Sequence, residues 1–370
     1  MAGSPNDGIG LWRMTMAGVV LNNLGHETMF LPAMADIGPQ AYLSQAAHAI
    51  TEWSPDIIWT GIINRTTVSM FRRAHELGVK GRVFDCDDLY HDVPATNKAA
   101  KSLESKGAGF GKLFDTILDV TDVMTVTTPF LQEFYHERRG QPAMVCPNVV
   151  DASYIKPAET AVSPDTRLRV GMIYNVNRHP DYVSIMPVLR ELIDEGLIHL
   201  TFFGQFAEHM WKCSPKDVRW IKHVKPHVYW DYLAQAKCDV VLNRMEPHDF
   251  NLAKSNIKWL EATMVGATFV TTKWGEMSNT PGAVQLDPED PPERWATVLR
   301  SLAQLKESGK LSERVELSQA AIDAEWTTTS MPVLGAFQKV IDHVELLDSS
   351  RDDVGGDLAD DVPADAGEHS

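Results

Sequence analysis

The chain has 370 residues, 44% of them apolar, and a formal net charge of −16. That length exceeds what one core usually holds, so two domains are expected, and the acidic balance gives no support for tight nonspecific nucleic-acid binding. Cys86, Cys146, Cys213 and Cys238 are scattered with no Cys-x-x-Cys pair, so neither a zinc cluster nor a disulfide framework is indicated.

No charged leader followed by an apolar run opens the chain, and no apolar run approaches the roughly 18 residues needed to span a bilayer. A cytoplasmic protein, at most peripheral to a membrane, is expected. Residues 348–370 hold eight acids against one Arg, which leaves −9 on the body and predicts a disordered acidic tail.

After a short polar start, Gly8-Ile9-Gly10 feeds a helix over 12–24, with Met16, Val19, Val20 and Leu24 on one face and Gly25 closing it. Strands are predicted at 27–31, 56–60, 82–86, 122–126 and 143–146, separated by helices at 41–52, 68–77, 113–120 and 129–137. Such alternation predicts a parallel, Rossmann-like sheet covered on both faces.

Three places in this first unit invite a functional reading. Asp85-Cys86-Asp87-Asp88 ends a strand, where open α/β sheets place ligands, and Tyr90, His91 and Asp92 follow. Clustered acids there can hold hydroxyls, act as a base or bind a divalent cation, and capping a turn is an equally open reading. Thr128, before Pro129, and Asn148, in Pro147-Asn148-Val149-Val150-Asp151, read either as a cap and a turn residue or as ligand contacts.

A Pro-bearing linker is placed at 154–167. The second unit has strands at 168–173, 200–203, 218–224, 239–242 and 268–272, with helices at 185–195, 230–236, 296–305 and 311–325 and a last helix over 331–346. Its first loop carries Arg178, His179 and Asp181; Arg suits phosphate geometry, and a solvated turn is the alternative. The basic stretch 212–227, with Trp211, Trp220 and Tyr229 nearby, reads first as a strand with a solvated face and second as a contact for a nucleic acid or a nucleotide base.

The stretch from Phe250 to Gly266 organises the rest. It follows an apolar strand and starts a helix: Ser255 and Asn256 are good capping types, and Ile257, Leu260 and Met264 form an inward face. A helix starting beyond a strand's carboxyl end presents free N–H groups and partial positive charge to anions. Lys254 adds a full charge at the mouth, and Glu261 can accept hydrogen bonds from sugar hydroxyls such as a ribose.

With Phe250, Asn251, Lys254, Ser255, Lys258 and Glu261 in register, this run resembles the Phe-Asn-x-x-Lys-Ser-x-x-Lys-x-x-Glu segment of GT-B-fold glycosyltransferases of bacterial and phage type. The resemblance implies an α/β chain with two Rossmann-like domains facing each other across a cleft. Residues 1–153 would form the acceptor domain and 168–325 the donor domain, with a terminal helix, 326–346, crossing back to the first. Residues 347–370 would be the tail.

It further implies a nucleotide-sugar donor, such as a UDP-sugar, held by Gly10, Arg178, His179, Asn251, Lys254, Ser255, Asn256, Lys258 and Glu261. Asp87, Asp88 and His91 would serve the acceptor hydroxyl, carried by a glycan or a hydroxylated base in phage DNA. No metal or other cofactor is expected. Two departures stand out: Ala253 occupies a place that is acidic in better-known members, and no recognisable strand precedes Gly8. They keep a non-catalytic nucleotide-sugar binding module as an alternative, and a nucleotide-sugar epimerase of the same fold is a third reading.

Overall fold

The computed structural model describes residues 10–32, 34–94, 109–140, 143–151, 166–174, 179–204, 216–222 and 224–356. Arg178, most of the linker, Gly8 and Ile9, residues 212–215 and residues 357–370 lie outside them.

A π-helical turn, Gly10–Thr15, leads into α1 (Met16–Asn23), α2 (Met34–Ile37) and α3 (Pro39–Trp53). The first sheet follows as β1 (Ile57–Thr60), β2 (Gly81–Cys86), β3 (Val123–Val126) and β4 (Ala143–Val145), parallel throughout and ordered β1-β2-β3-β4. Helices α4 (Arg65–Glu76), α5 (Gly109–Asp119) and α6 (Pro129–Arg139) lie between its strands. The Asn64 side chain accepts from Thr67 N at the start of α4, and Thr128 accepts from Leu131 N at the start of α6, where Pro129 supplies the fixed φ of a first helical residue.

The second sheet comprises β5 (Leu168–Tyr174), β6 (Ile198–Gly204), β7 (Val218–Ile221), β8 (Val240–Asn243), β9 (Thr268–Thr272) and β10 (Val284–Leu286). Its helices are α7 (His179–Tyr182), α8 (Met186–Asp194), α9 (Pro226–Gln235), α10 (Asp249–Leu252) and α11 (Ile257–Met264), then α12 (Pro292–Glu307), α13 (Ser312–Glu325) and α14 (Met331–Gly356). Strand order is β10-β9-β8-β5-β6-β7, all parallel. Chain direction across this sheet reverses between β5 and β8, the doubly wound switch point where a crevice opens above the strand ends. The loops after β5 and β8 are those predicted to hold the donor. Both strands sit mid-sheet, and every residue of β8 is buried, so the β-branched run is enclosed on both faces.

Each sheet has its own apolar core, and a third apolar seam, running through Trp259, Trp326 and Phe337, joins the two. Across the joint, Val150 pairs in parallel with Thr327: Val150 N donates to Trp326 O at 2.9 Å and Thr328 N to Val150 O at 3.1 Å. Helix α14 then packs on α1, β2, β3 and β4 of the first domain. Two facing Rossmann-like units with a returning terminal helix are the architecture expected from the sequence.

Some boundaries differ. Residues 26–30 are irregular and only Leu31 makes a single bridge, so the strand expected at 27–31 does not form. None of Glu27–Phe30 is buried, so pairing there would gain little from burial, and Pro32 has no N–H to give a ladder. The helix expected over 12–24 begins as the π-helical turn, and the last helix runs to Gly356, ten residues past its expected end, because no Gly or Pro follows Leu346 until Gly355. Strand β7 stops at Ile221, and Pro226 opens α9 four residues earlier than expected.

Gly81 marks how closely α14 sits on the sheet. A Cβ there would lie 2.5 Å from Cγ1 of Val344, a buried, β-branched side chain with little freedom to turn away in a helix. Gly81→Ala is expected to destabilise the protein by about 1–3 kcal/mol in denaturant unfolding, and Val344→Ala should recover part of that loss in the double variant.

Candidate functional site between the two sheets

Strand β8 ends at Asn243, and the chain makes two short helical segments where the sequence suggests one. His248 caps α10, its ring nitrogen accepting from Asn251 N at 3.2 Å. Helix α11 starts at Ile257 and ends before Gly266, whose φ of +73 suits glycine. Among the described residues, the backbone N–H groups of Asn256, Ile257 and Lys258 donate to no protein acceptor. The Asn256 side chain makes no capping bond, and its Nδ2 is buried without a partner. The start of α11 therefore carries unspent donors as well as the positive end of the helix dipole.

This start faces the first domain. Lys254 Nζ lies 2.7 Å from both oxygens of Asp88 and 4.0 Å from the centre of the Phe250 ring. Ser255 Oγ accepts from Asn148 Nδ2 at 2.7 Å. Phe250 and Ala253 pack into the first domain's apolar core, and Ala253 is wholly buried. A carboxylate at 253 would be desolvated in this arrangement, so the departure at that position agrees with its packing.

On the first-domain side, Asp85 and Asp87 have separate fates. Asp85 is buried and takes two bonds from Arg13, Nη2 at 2.7 Å and Nε at 2.9 Å, and one from Thr125 Oγ1 at 2.7 Å. Burial acts to lower the pKa of the Arg13 guanidinium; the charge and hydrogen bonds of Asp85 outweigh it and raise it. Arg13 also donates to Cys146 O at 2.8 Å and Asn148 Oδ1 at 3.2 Å.

Asp87 stays half-buried and accepts from Tyr90 OH at 3.1 Å. Burial, and then the charges of Asp88 and Asp85, push its carboxyl up from 3.8 to about 6, against the opposing pull of Arg13 and Lys254. A carboxyl there can exchange protons near neutral pH.

His91 sits among aromatic rings beside Asp115. Its ring packs edge-on against Phe114 at 4.8 Å and Tyr135 at 5.7 Å, with Nε2 3.4 Å from Asp115. The aromatic side chains of α5 and α6 hold it among themselves.

In α11, Glu261 is 3% exposed, and its Oε2 accepts from Lys258 Nζ at 2.8 Å and from Tyr229 OH at 3.2 Å. Oε1 has no partner among the described residues. Tyr229 lies against Trp230, and Trp230 against Trp12, each pair T-shaped with ring centres 5.5 Å apart. Trp12 belongs to the turn that Gly10 opens, so that turn lies beside the Glu261 end of the segment.

Asn251 is tied down, its Nδ2 donating to Asp181 Oδ1 at 2.8 Å and Glu246 O at 2.9 Å. Through Asp181, two residues beyond His179, the loop after β5 is pinned to the loop after β8. His179 itself opens α7.

Arg13 and Thr125 escaped the sequence reading. One signal was present for Arg13: it is the only charge between Gly8 and Gly25, and a lone charge in an apolar helical run asks for a buried partner.

No protein-family model matches the chain, and no curated protein sequence does. Solved structures do. A glycosyltransferase from Rickettsia africae superposes with a TM-score of 0.59 at 12% identity, over 94% of this chain and 97% of that one. HepE of Anabaena, solved in complex with UDP and glucose, gives 0.54 at 11% identity over 86% of each chain. A putative UDP-N-acetylglucosamine 2-epimerase from Listeria monocytogenes gives 0.54 at 10% identity, over 91% of this chain and 93% of that one. The shared feature is the fold, which is GT-B.

Proposed function

We propose that the protein is a glycosyltransferase that binds a nucleotide sugar at the start of α11 and passes the sugar to an acceptor hydroxyl held by the first domain. The observation that carries this reading is the unspent donor set at that helix start, with Lys254 and Ser255 at its mouth, set opposite the carboxylates of Asp87 and Asp88. When the glycosidic bond to the donor breaks, negative charge develops on the departing diphosphate. Helix N–H groups, Ser255 and the ammonium of Lys254 stabilise it in place, and preorganised donors of this kind act most strongly where water is excluded. Arg178 is assigned to the same diphosphate. Glu261 Oε1 accepts from the ribose hydroxyls, and Asp87 takes the acceptor's proton as its oxygen attacks the sugar carbon.

The UDP and glucose in HepE support a UDP-sugar as the first donor to test. The acceptor is assigned by class only, a hydroxyl on a glycan or on a hydroxylated DNA base. Among the described residues no helix is long and apolar enough to cross a membrane. The epimerase reading is favoured by the Listeria neighbour, and the binding-module reading by the filled site at Ala253.

A thermal-shift panel of nucleotide sugars tests the proposal. One donor is expected to raise Tm by several degrees at 100 times its Kd, about 2.7 kcal/mol of linkage. Mass analysis of the products then separates transfer to added glycan or hydroxymethylated DNA from epimerisation, and a ligand that shifts Tm without turnover would favour the module. No shift with any nucleotide or nucleotide sugar would overturn the assignment.

A further inference from the structure

Ser255 can meet a phosphate in two ways. Its hydroxyl can donate its single hydrogen to the phosphate, or spend that hydrogen on a protein acceptor and present only lone pairs, which repel an anion. The structure decides between these through Asn148. Arg13 Nη1, 3.2 Å away, can only donate, so the Asn148 atom facing it is the carbonyl oxygen. The opposite atom, 2.7 Å from Ser255 Oγ, is therefore the amide nitrogen, and Ser255 is the acceptor in that bond. Ser255 makes no other hydrogen bond among the described residues and remains partly exposed, whereas Asn148 is 3% exposed. Arg13 has no freedom to reverse the arrangement, because Asp85 and the Cys146 carbonyl hold the rest of its guanidinium.

We infer that Arg13 and Asn148, both in the first domain, are positioning residues that fix the polarity of Ser255 in the second, so that its hydroxyl hydrogen is reserved for the donor diphosphate. The relay runs from the strand-end carboxylate of Asp85 through a guanidinium and an amide to the hydroxyl, and it is complete only when the two domains meet. This deepens the nucleotide-sugar reading and rests on it.

The test exploits an isosteric swap. Asn148→Asp keeps the size and still accepts from Arg13, but it can only accept from Ser255, which turns the hydroxyl hydrogen away from the ligand. Kd values for UDP and for uridine are measured by calorimetry for wild type, Ser255→Ala, Asn148→Asp and the double variant, with Tm recorded for each. Each single variant is expected to bind UDP roughly tenfold more weakly, as for the loss of one hydrogen bond to a charged group. Uridine, with no phosphate, should bind all four alike. The double variant should bind no more weakly than Ser255→Ala, since a hydroxyl that is absent cannot be misdirected.

Additive losses would show that the new carboxylate acts by repulsion and would overturn the relay, as would unchanged UDP binding in Asn148→Asp or an equal loss for uridine. Should Asn148→Asp fail to fold, Asn148→Ala leaves Ser255 free to donate. It must then cost less UDP affinity than Ser255→Ala for the inference to stand. If wild type bound neither UDP nor any other nucleoside diphosphate, the reading of the site would fail, and not the relay alone.

Discussion

Lys254→Ala is expected to weaken nucleoside diphosphate binding by about 10- to 100-fold, the loss of one charge-assisted contact to phosphate. Asp88→Asn is expected to act in the opposite sense. In the free protein Asp88 holds the Lys254 ammonium with both oxygens at 2.7 Å, so an incoming diphosphate has to take the lysine away from a resident anion. Side chains of this pair are 22% and 25% exposed, which puts its worth near the ~1 kcal/mol of a partly solvated ion pair. Neutralising Asp88 should therefore tighten binding up to about fivefold while lowering turnover. Calorimetric titration with UDP and other nucleoside diphosphates reads both signs at once. Were Asp88→Asn to weaken binding as Lys254→Ala does, the pair would be a clamp between domains, and the competition between carboxylate and phosphate would be discarded.

The second large effect concerns pH. With Asp87 raised to about 6, kcat/KM should fall about tenfold per unit as pH drops below that value and the base takes up a proton. Asp87→Asn should lose this limb and run about 10²- to 10⁴-fold slower on the plateau. Stability supplies an independent check with the opposite sign. A carboxyl whose pKa is higher in the folded than in the unfolded chain favours folding when protonated, so this contribution is present below about pH 3.8 and is lost as pH rises through about 6. At pH 7 Asp87→Asn should thus be more stable than wild type, by at most ~3 kcal/mol and by less in proportion to the solvent that reaches the group. A variant that is slower but less stable at pH 7 would point to a structural role for Asp87.

The alternation of strands and helices was legible because β8 and β3 are short, mostly apolar runs between polar residues, a pattern that burial on both faces demands. The start of α11 was legible for the same reason: capping types, an apolar face and Lys254 lie within a few residues of one another. What the sequence hid was long-range pairing. Lys254 and Asp88 lie 166 positions apart, Asn148 and Ser255 107, and Arg13 and Asp85 72. Nothing local to any of these residues names its partner. The surroundings of His91 were equally hidden, since its packing against Phe114 and Tyr135 joins residues 23 and 44 positions away. Strand β10 spans three residues, too few for a period to show.

The parallel stitch between Val150 and Thr327 has a mechanical consequence. The polypeptide passes between the lobes twice, and the two passages are bonded side by side, so the lobes are not free to slide or to part evenly. Any opening of the lobes is expected to pivot near that stitch. A swing of this kind would separate the polar contacts of Lys254 and Ser255 together with the apolar contacts of Phe250 and Ala253, while the seam at Trp326 stays closed.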